Sequence, residues 1–325
     1  TVTGRSDWAS TLPEENIPFF YPSVSGSLVF SEVLSLPDWF NYGKLRAAWG
    51  EIGGETTPYR LNLTYSLLDA HQEQPLVTIS GNEVPNSDLK PTSTTEAEVG
   101  FETQFFDDRL GLDLSLYRRN TVDQILSTSV SSASGFGSRV INTGEIQNSG
   151  IEALLTAVPV TTDDLSWTSR INFGANQNEV KALAEGLDTR IDQENRAGTA
   201  NIAQIVGEPA NSIFGTPYVR DDQGRIVHDE NGLPVAGEPE VLGNGSPDWT
   251  LGFSNTVSYQ NFSLTALVDA KWGGQLYSGT NAQAYSLGLH QNTLEGREQC
   301  DAAASGGIYP EDCFVADGVD QDGNA

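Results

Sequence analysis

The sequence predicts an all-β fold, an antiparallel transmembrane β-barrel, and three observations carry that expectation. Segments of about ten residues alternate apolar and polar positions repeatedly, as barrel strands do. The connections come in two sizes, tight polar turns and long stretches rich in Gly, Pro, Asn and Asp. No run approaches the roughly eighteen consecutive apolar residues that a membrane-spanning helix needs. No linker separates two folded parts, so residues 1–325 read as one domain.

In residues 95–106, Ala97, Val99, Phe101 and Phe105 share one face, while Glu96, Glu98, Glu102 and Gln104 share the other, which must be wet. A tight polar turn at residues 106–109 leads into residues 109–120, where Leu110, Leu112, Leu114 and Leu116 alternate with Gly111, Asp113, Ser115 and Tyr117. In residues 165–178 the apolar set is Leu165, Trp167, Ile171, Phe173 and Ala175, opposed by Ser166, Thr168, Arg170, Asn172 and Asn176. Residues 249–259 carry Trp249, Leu251, Phe253, Val257 and Tyr259 on one face. After a two-residue turn, residues 262–272 set Phe262, Leu264, Ala266, Val268, Ala270 and Trp272 against Ser263, Thr265, Asp269 and Lys271. Aromatics gather at strand ends, where the girdles of a barrel lie. Residues 179–246 and 278–325 read as long outward-facing loops.

With 17 Lys+Arg against 44 Asp+Glu the formal charge is −27, which repels nucleic acid and leaves no polybasic patch. Cys300 and Cys313 lie close together without a flanking His at ligand spacing, which disfavours zinc. They form a candidate disulfide closing a surface loop in an oxidising compartment, with two free thiols as the alternative. His71, His228 and His290 are scattered, so no metal or Ser-His-Asp constellation has local support. The Gly-rich residues 134–138 lack the spacing of a phosphate cradle and read as a loop.

Glu96 and Glu98, two apart on one strand face, have the residue types of a glycosidase pair, but lumen-facing carboxylates are commonplace in wet barrels and no catalytic residue is assigned. Asp317, Asp320 and Asp322 have the ligand type of a calcium loop but not its full spacing. The loop aromatics Phe214, Tyr218, Tyr285 and Tyr309 offer flat faces for sugar rings, although packing between loops is the alternative use of such rings. No cofactor is expected.

Five segments, in order, resemble the SusC/RagA family of TonB-linked outer-membrane proteins, a class of TonB-dependent receptor. They are STLPEENIPFFYPSVSGSLVFSEV with LPDWFNYGKLRAAWGEIGG (residues 10–54), DLKPTSTTEAEVGFETQFFDDRLGLDLSLYRRNTVDQIL (88–126), INTGEIQNSGIEALL (141–155), YVRDDQGRIVHDENGLPV (218–235) and LGNGSPDWTLGFSNTVSYQNFSLTALVDAKWGGQLYSGTNA (242–282). The resemblance implies a multi-pass barrel in the outer membrane, in contact with its lipid, without enzymatic activity. It implies a SusD-like lipoprotein lid that captures glycan or peptide fragments, and TonB, with ExbB and ExbD, pulling on a plug to drive import. In this family a carboxypeptidase-like domain, TonB box, plug and earlier strands precede such a region and further strands follow it, so the chain is expected to be the C-terminal barrel portion of a longer protein. The Asp-Gly-Val…Asp-Gly stretch at residues 317–323 also resembles the family's late extracellular region. Two rivals remain: a siderophore- or cobalamin-type receptor, and a secreted β-sandwich carbohydrate-active protein whose apolar faces would meet each other.

Overall fold

A computed structural model describes residues 1–71, 74–184, 186–193, 200–230 and 233–294. In chain order its strands are β1 (Val2–Asp7), β2 (Phe19–Val29), β3 (Phe40–Gly54), β4 (Tyr65–His71), β5 (Gln74–Ile79), β6 (Glu83–Val84), β7 (Thr92–Phe105), β8 (Leu110–Ser129), β9 (Ser138–Thr161), β10 (Leu165–Ala182), β11 (Thr189–Gln193), β12 (Ala200–Ile205), β13 (Ser212–Gly215), β14 (Glu240–Asn244), β15 (Trp249–Tyr259) and β16 (Phe262–Trp272). Among the described residues one short α-helix, α1, spans Gly279–Ser286. The chain falls into two compact units, one of Thr1–Arg190, Ile205–Ala210 and Pro247–Gly273, the other with its described residues within 191–204, 211–246 and 274–294.

The first unit is built on a ten-stranded sheet in the order β1-β2-β3-β7-β8-β9-β10-β15-β16, with β6 added to β9 in parallel. Each step along that order is antiparallel, so successive connections fall at alternate ends. At one end they are residues 30–39, 106–109, 162–164 and 260–261; at the other they are 8–18, 55–91, 130–137 and 183–248. Short turns on one rim and long excursions on the opposite rim are the up-and-down pattern of outer-membrane barrels. Polar residues that tolerate left-handed backbone make the tight turns: Asp107 and Asp108 (φ 55° and 63°) with Phe106 (φ 57°), and Gln260 (φ 49°). Phe106 is held in that conformation by a hydrogen bond from its N–H to Trp39 O (2.9 Å) and by stacking on the Trp39 ring at 6.0 Å.

The register aligns the alternating patterns into rows. One outward row reads Leu28-Leu45-Phe101-Leu114-Ala153-Phe173-Leu251-Ala270 across eight strands, and the next reads Gly26-Ala47-Val99-Leu116-Ile151-Ala175-Trp249-Trp272. These residues stay open although apolar, with Val99 57% and Leu116 52% exposed. Rings close the band at both margins. Trp249 stacks on Trp272 at 6.0 Å near the long-connection rim, and Phe40, Phe105 and Trp39 cluster within 5.0–6.1 Å near the short-turn rim. From Trp249 to Tyr259 a strand advances about 33 Å, which at a tilt near 45° gives a band about 25 Å tall, the height of a lipid-facing barrel surface.

The buried core of this unit lies toward the long-connection rim. Ala9, Leu12, Leu89 and Val140 are buried together, with Ile17, Phe19, Leu61 and Ile125 packed on them. Leu89, fully buried, is locked by its neighbours: Asn16 Nδ2 donates to its carbonyl oxygen at 2.7 Å, and the adjacent Lys90 backbone is clamped by Asn142. Gly144, two residues after Asn142, has φ 82°, and a β-carbon there would stand 3.4 Å from Ala182 O, so the Asn-x-Gly spacing serves both the clamp and the left-handed kink. The β4–β5 hairpin forms a separate two-stranded sheet with Leu67 and Val77 exposed.

The second unit holds most of a four-stranded sheet, β11-β12-β13-β14, and a small ladder through residues 218–236, bridged at Tyr218–Ala236, Arg220–Ile226 and His228–Pro234. Sequence patterning read residues 179–246 as one long loop; these short strands escape it because four to six residues show too little alternation to register. Strand lengths also differ from the sequence reading, since β8 runs to Ser129 and β10 to Ala182. Beyond the lipid-facing band both faces carry polar residues, so alternation fades while the hydrogen-bonded ladder continues. Among the described residues no helix is long and apolar enough to cross a membrane, which says nothing of crossing by strands.

Candidate functional site

The face opposite the apolar rows is polar, and charged residues from neighbouring strands meet there. Arg46 on β3 is the centre. Its Nη2 donates to Asp113 Oδ1 at 2.7 Å and to Ser115 Oγ at 2.6 Å, and its Nε lies 3.5 Å from Glu98 Oε1. Ser115 Oγ in turn donates to Glu98 Oε1 at 3.1 Å. One residue pair toward the short-turn rim, Lys44 Nζ meets Glu102 Oε2 at 3.3 Å; toward the opposite rim, Arg119 Nε meets Glu96 Oε2 at 2.5 Å. Further round, Tyr117 Oη donates to Asn176 Oδ1 at 3.1 Å, and Asn176 Nδ2 to Asn148 Oδ1 at 3.1 Å.

Glycines make this wall possible. Gly100 stands directly between Arg46 and Ser115 in the register, and a β-carbon there would run into the Arg46 guanidinium. Gly150 pairs with Tyr117, and a β-carbon there would collide with the phenol and approach Ala175 O to 2.7 Å. Without a side chain, each position lets a long polar neighbour lie flat across the strand. A groove of about 600 Å³ runs along this face, lined by Arg46, Asp113, Glu152, Asn172, Thr250 and Asp269 among others.

The wall is half-exposed, and each ion pair contributes no more than about 1 kcal/mol in such hydrated surroundings. Its chemical capacity lies in density of donors and acceptors, suited to hydroxyl- and amide-rich solutes. The three strand glutamates singled out from sequence, Glu96, Glu98 and Glu102, all lie on this face, and each is engaged by a cation. Their partners Lys44, Arg46 and Arg119 escaped the sequence reading; the i, i+2 spacing of Lys44 and Arg46 was the available signal.

The loop aromatics are placed differently. Phe214 sits within β13, half-buried, opposite Asn201 and Val241. Tyr218 is more than half exposed beside its bridge to Ala236. One face of Tyr285 is covered by His290, with ring centroids 4.0 Å apart, and its Oη accepts from Asn292 Nδ2 at 2.7 Å. Tyr309, Cys300, Cys313, Asp317, Asp320 and Asp322 lie outside the described residues. Among the described residues no group of three or more His, Cys, Asp or Glu is arranged to hold a metal ion.

In the residues 218–236 ladder, Asp221 Oδ1 accepts the backbone N–H groups of Gln223 (3.0 Å) and Arg225 (2.8 Å), and Asp221 Oδ2 accepts from Arg225 Nε at 2.8 Å. Partial desolvation acts upward on this carboxyl, but the donors from Arg225 and Gln223 outweigh it and hold it below the usual carboxylate range. These turns order the ladder itself.

Comparison with known proteins agrees with this architecture. Residues 1–302 match the family model described as TonB dependent receptor-like, beta-barrel. A TonB-dependent receptor of Formosa agariphila is 29% identical over 306 residues, covering 86% of this chain and 30% of that protein. The TonB-dependent receptor SusC of Bacteroides thetaiotaomicron is 24% identical over 343 residues, 97% of this chain and 34% of SusC. The chain therefore spans about a third of the length of these relatives. Among solved structures, that of the RagAB peptide transporter superposes with a TM-score of 0.70 at 22% identity, over 82% of this chain and 31% of the other, a likeness of fold. With its lipid-facing rows, polar inner wall and two unequal rims, this chain belongs to the TonB dependent receptor-like β-barrel family and forms part of an outer-membrane barrel.

Proposed function

We propose that this chain forms part of the wall of an outer-membrane importer that takes up nutrient oligomers, glycan or peptide fragments, under TonB, ExbB and ExbD, with a SusD-like lipoprotein capturing the ligand. The observation that carries the reading is the two-faced sheet, apolar outward and lined inward by the Arg46–Asp113–Glu98 network and its flanking amides. A water-filled passage for polar oligomers requires such a wall. Similarity to SusC and the fold of the RagAB peptide transporter favour oligomers as the cargo. We assign no catalytic step, because Glu96, Glu98 and Glu102 on the inner face are each engaged by a cation.

The test is to extract the full-length protein from outer membranes in mild detergent and identify what co-purifies by mass spectrometry, then to measure growth of a deletion strain on oligosaccharide and peptide pools. Recovery of a SusD-like lipoprotein and a selective growth defect on one pool supports the reading. Recovery without a lipoprotein partner, and a defect restricted to iron or cobalamin limitation, overturns it in favour of a siderophore- or cobalamin-type receptor.

A further inference from the structure

The outward apolar rows end at an arginine. One step beyond Ala47-Val99-Leu116-Ile151-Ala175, toward the long-connection rim, the next row reads Trp49-Ala97-Arg118-Ser149-Gln177. Arg118 is exposed, and among the described residues its side chain makes no ion pair or hydrogen bond. The inward Arg46 and Arg119 are both paired, and so is the outward Lys181, with Glu179 at 2.7 Å. Arg139 and Arg170 likewise form no ion pair among the described residues, and what sets Arg118 apart is its place directly beside the outward apolar rows. Its cross-strand neighbours Ala97 and Ser149 are small, so the guanidinium is not walled in, and Ser149 and Gln177 add neutral donors along the same row.

We propose that Arg118, with Ser149 and Gln177, binds the phosphate of a lipid headgroup in the leaflet on the long-loop side of the membrane. A guanidinium recognises phosphate through paired N–H donors, and a site at the edge of the hydrocarbon layer gains strength from partial desolvation. The occupant is a lipid because the site is continuous with the lipid-facing rows, and Trp49 at the same level marks the interface where headgroups lie. A phosphomonoester headgroup fits best, since its charge complements the guanidinium and its oxygens can also accept from Ser149 and Gln177.

The experiment compares the full-length protein with Arg118→Gln, Arg118→Lys and the outward control Lys181→Gln, each extracted from native outer membranes and checked for heat-modifiable migration as a folded barrel. Phosphorylated lipid retained per protein is quantified by mass spectrometry. Each protein is then reconstituted in phosphatidylcholine vesicles with or without phosphatidic acid, and Tm is measured. The expected result is a several-fold loss of retained lipid in Arg118→Gln, an intermediate loss in Arg118→Lys and none in Lys181→Gln. Phosphatidic acid should raise Tm for the unaltered protein and the Lys181→Gln control, but not for Arg118→Gln. Should Arg118→Gln fail to assemble, the difference between Arg118→Lys and the unaltered protein carries the test. Equal lipid retention and equal Tm increments across all assembled variants overturn the proposal and leave Arg118 as a hydrated interfacial residue.

Discussion

The side-chain amide of Asn142 closes on the backbone of Lys90 from both directions, accepting from its N–H and donating to its carbonyl oxygen, each at 2.8 Å. The same Nδ2 also donates to Asp123 O at 2.9 Å. One side chain therefore ties the 55–91 connection to β9 and β8, and holds Leu89 in the core.

Asn142→Ala should lower the stability of the full-length protein by about 1–3 kcal/mol, since three hydrogen bonds are lost and backbone groups are left without partners. Asn142→Asp should do worse, because a carboxylate would face two carbonyl oxygens. Thermal unfolding in detergent measures both; an aspartate variant as stable as the parent would refute the clamp.

The outward and inward faces of one sheet should respond oppositely to charge. Leu114→Arg places a cation in the middle of the apolar rows, at a cost of about 2–4 kcal/mol, whereas Asn172→Arg on the polar wall should assemble normally. Folded yield in outer membranes reads the contrast, and equal yields would mean that the apolar face does not meet lipid.

Two glycines that look alike in sequence should differ. At Gly150 an added methyl meets the Ala175 carbonyl as well as the Tyr117 ring, and backbone cannot step aside, so Gly150→Ala should cost about 1–3 kcal/mol. At Gly100 the obstacle is the flexible end of Arg46, which can swing away, so Gly100→Ala should disturb the Arg46–Asp113 pair with a smaller loss of stability. Comparison of the two melting temperatures decides the matter, and a larger loss for Gly100→Ala would contradict it.

The carboxyl of Asp221 titrates below its usual range in the folded ladder. A depressed carboxylate contributes order that is complete above its unfolded-state pKa and is lost as pH falls through the folded-state value. Hydrogen-exchange protection at residues 218–230, taken relative to the intrinsic exchange rate at each pH, should therefore be high at neutral pH and fall only under acid conditions. Asp221→Asn should remove most of that pH dependence; protection lost with the same acid profile in the variant would assign the effect to another group.

Much of the first unit was legible in the sequence. Alternation in residues 95–106 and 109–120 placed Glu96, Glu98 and Glu102 on one face and the leucines on the other, because a strand's period of two needs only local residues. Turn residues such as Asp107 and Asp108 marked hairpins for the same local reason. The ion pairs were not legible, since Arg46 and Asp113 are 67 residues apart and meet only because the register brings β3, β7 and β8 into step. Nor was the Asn142–Lys90 clamp, which joins residues 52 apart. The short strands β12 to β14 and helix α1 carry too few residues to impose a period. Local periodicity alone settled which side chains share a face and that the outward face suits lipid. Which charges on the inner face neutralise one another was set only by the assembled sheet, because cross-strand contacts follow from register and sheet order rather than from the periodicity of any one strand.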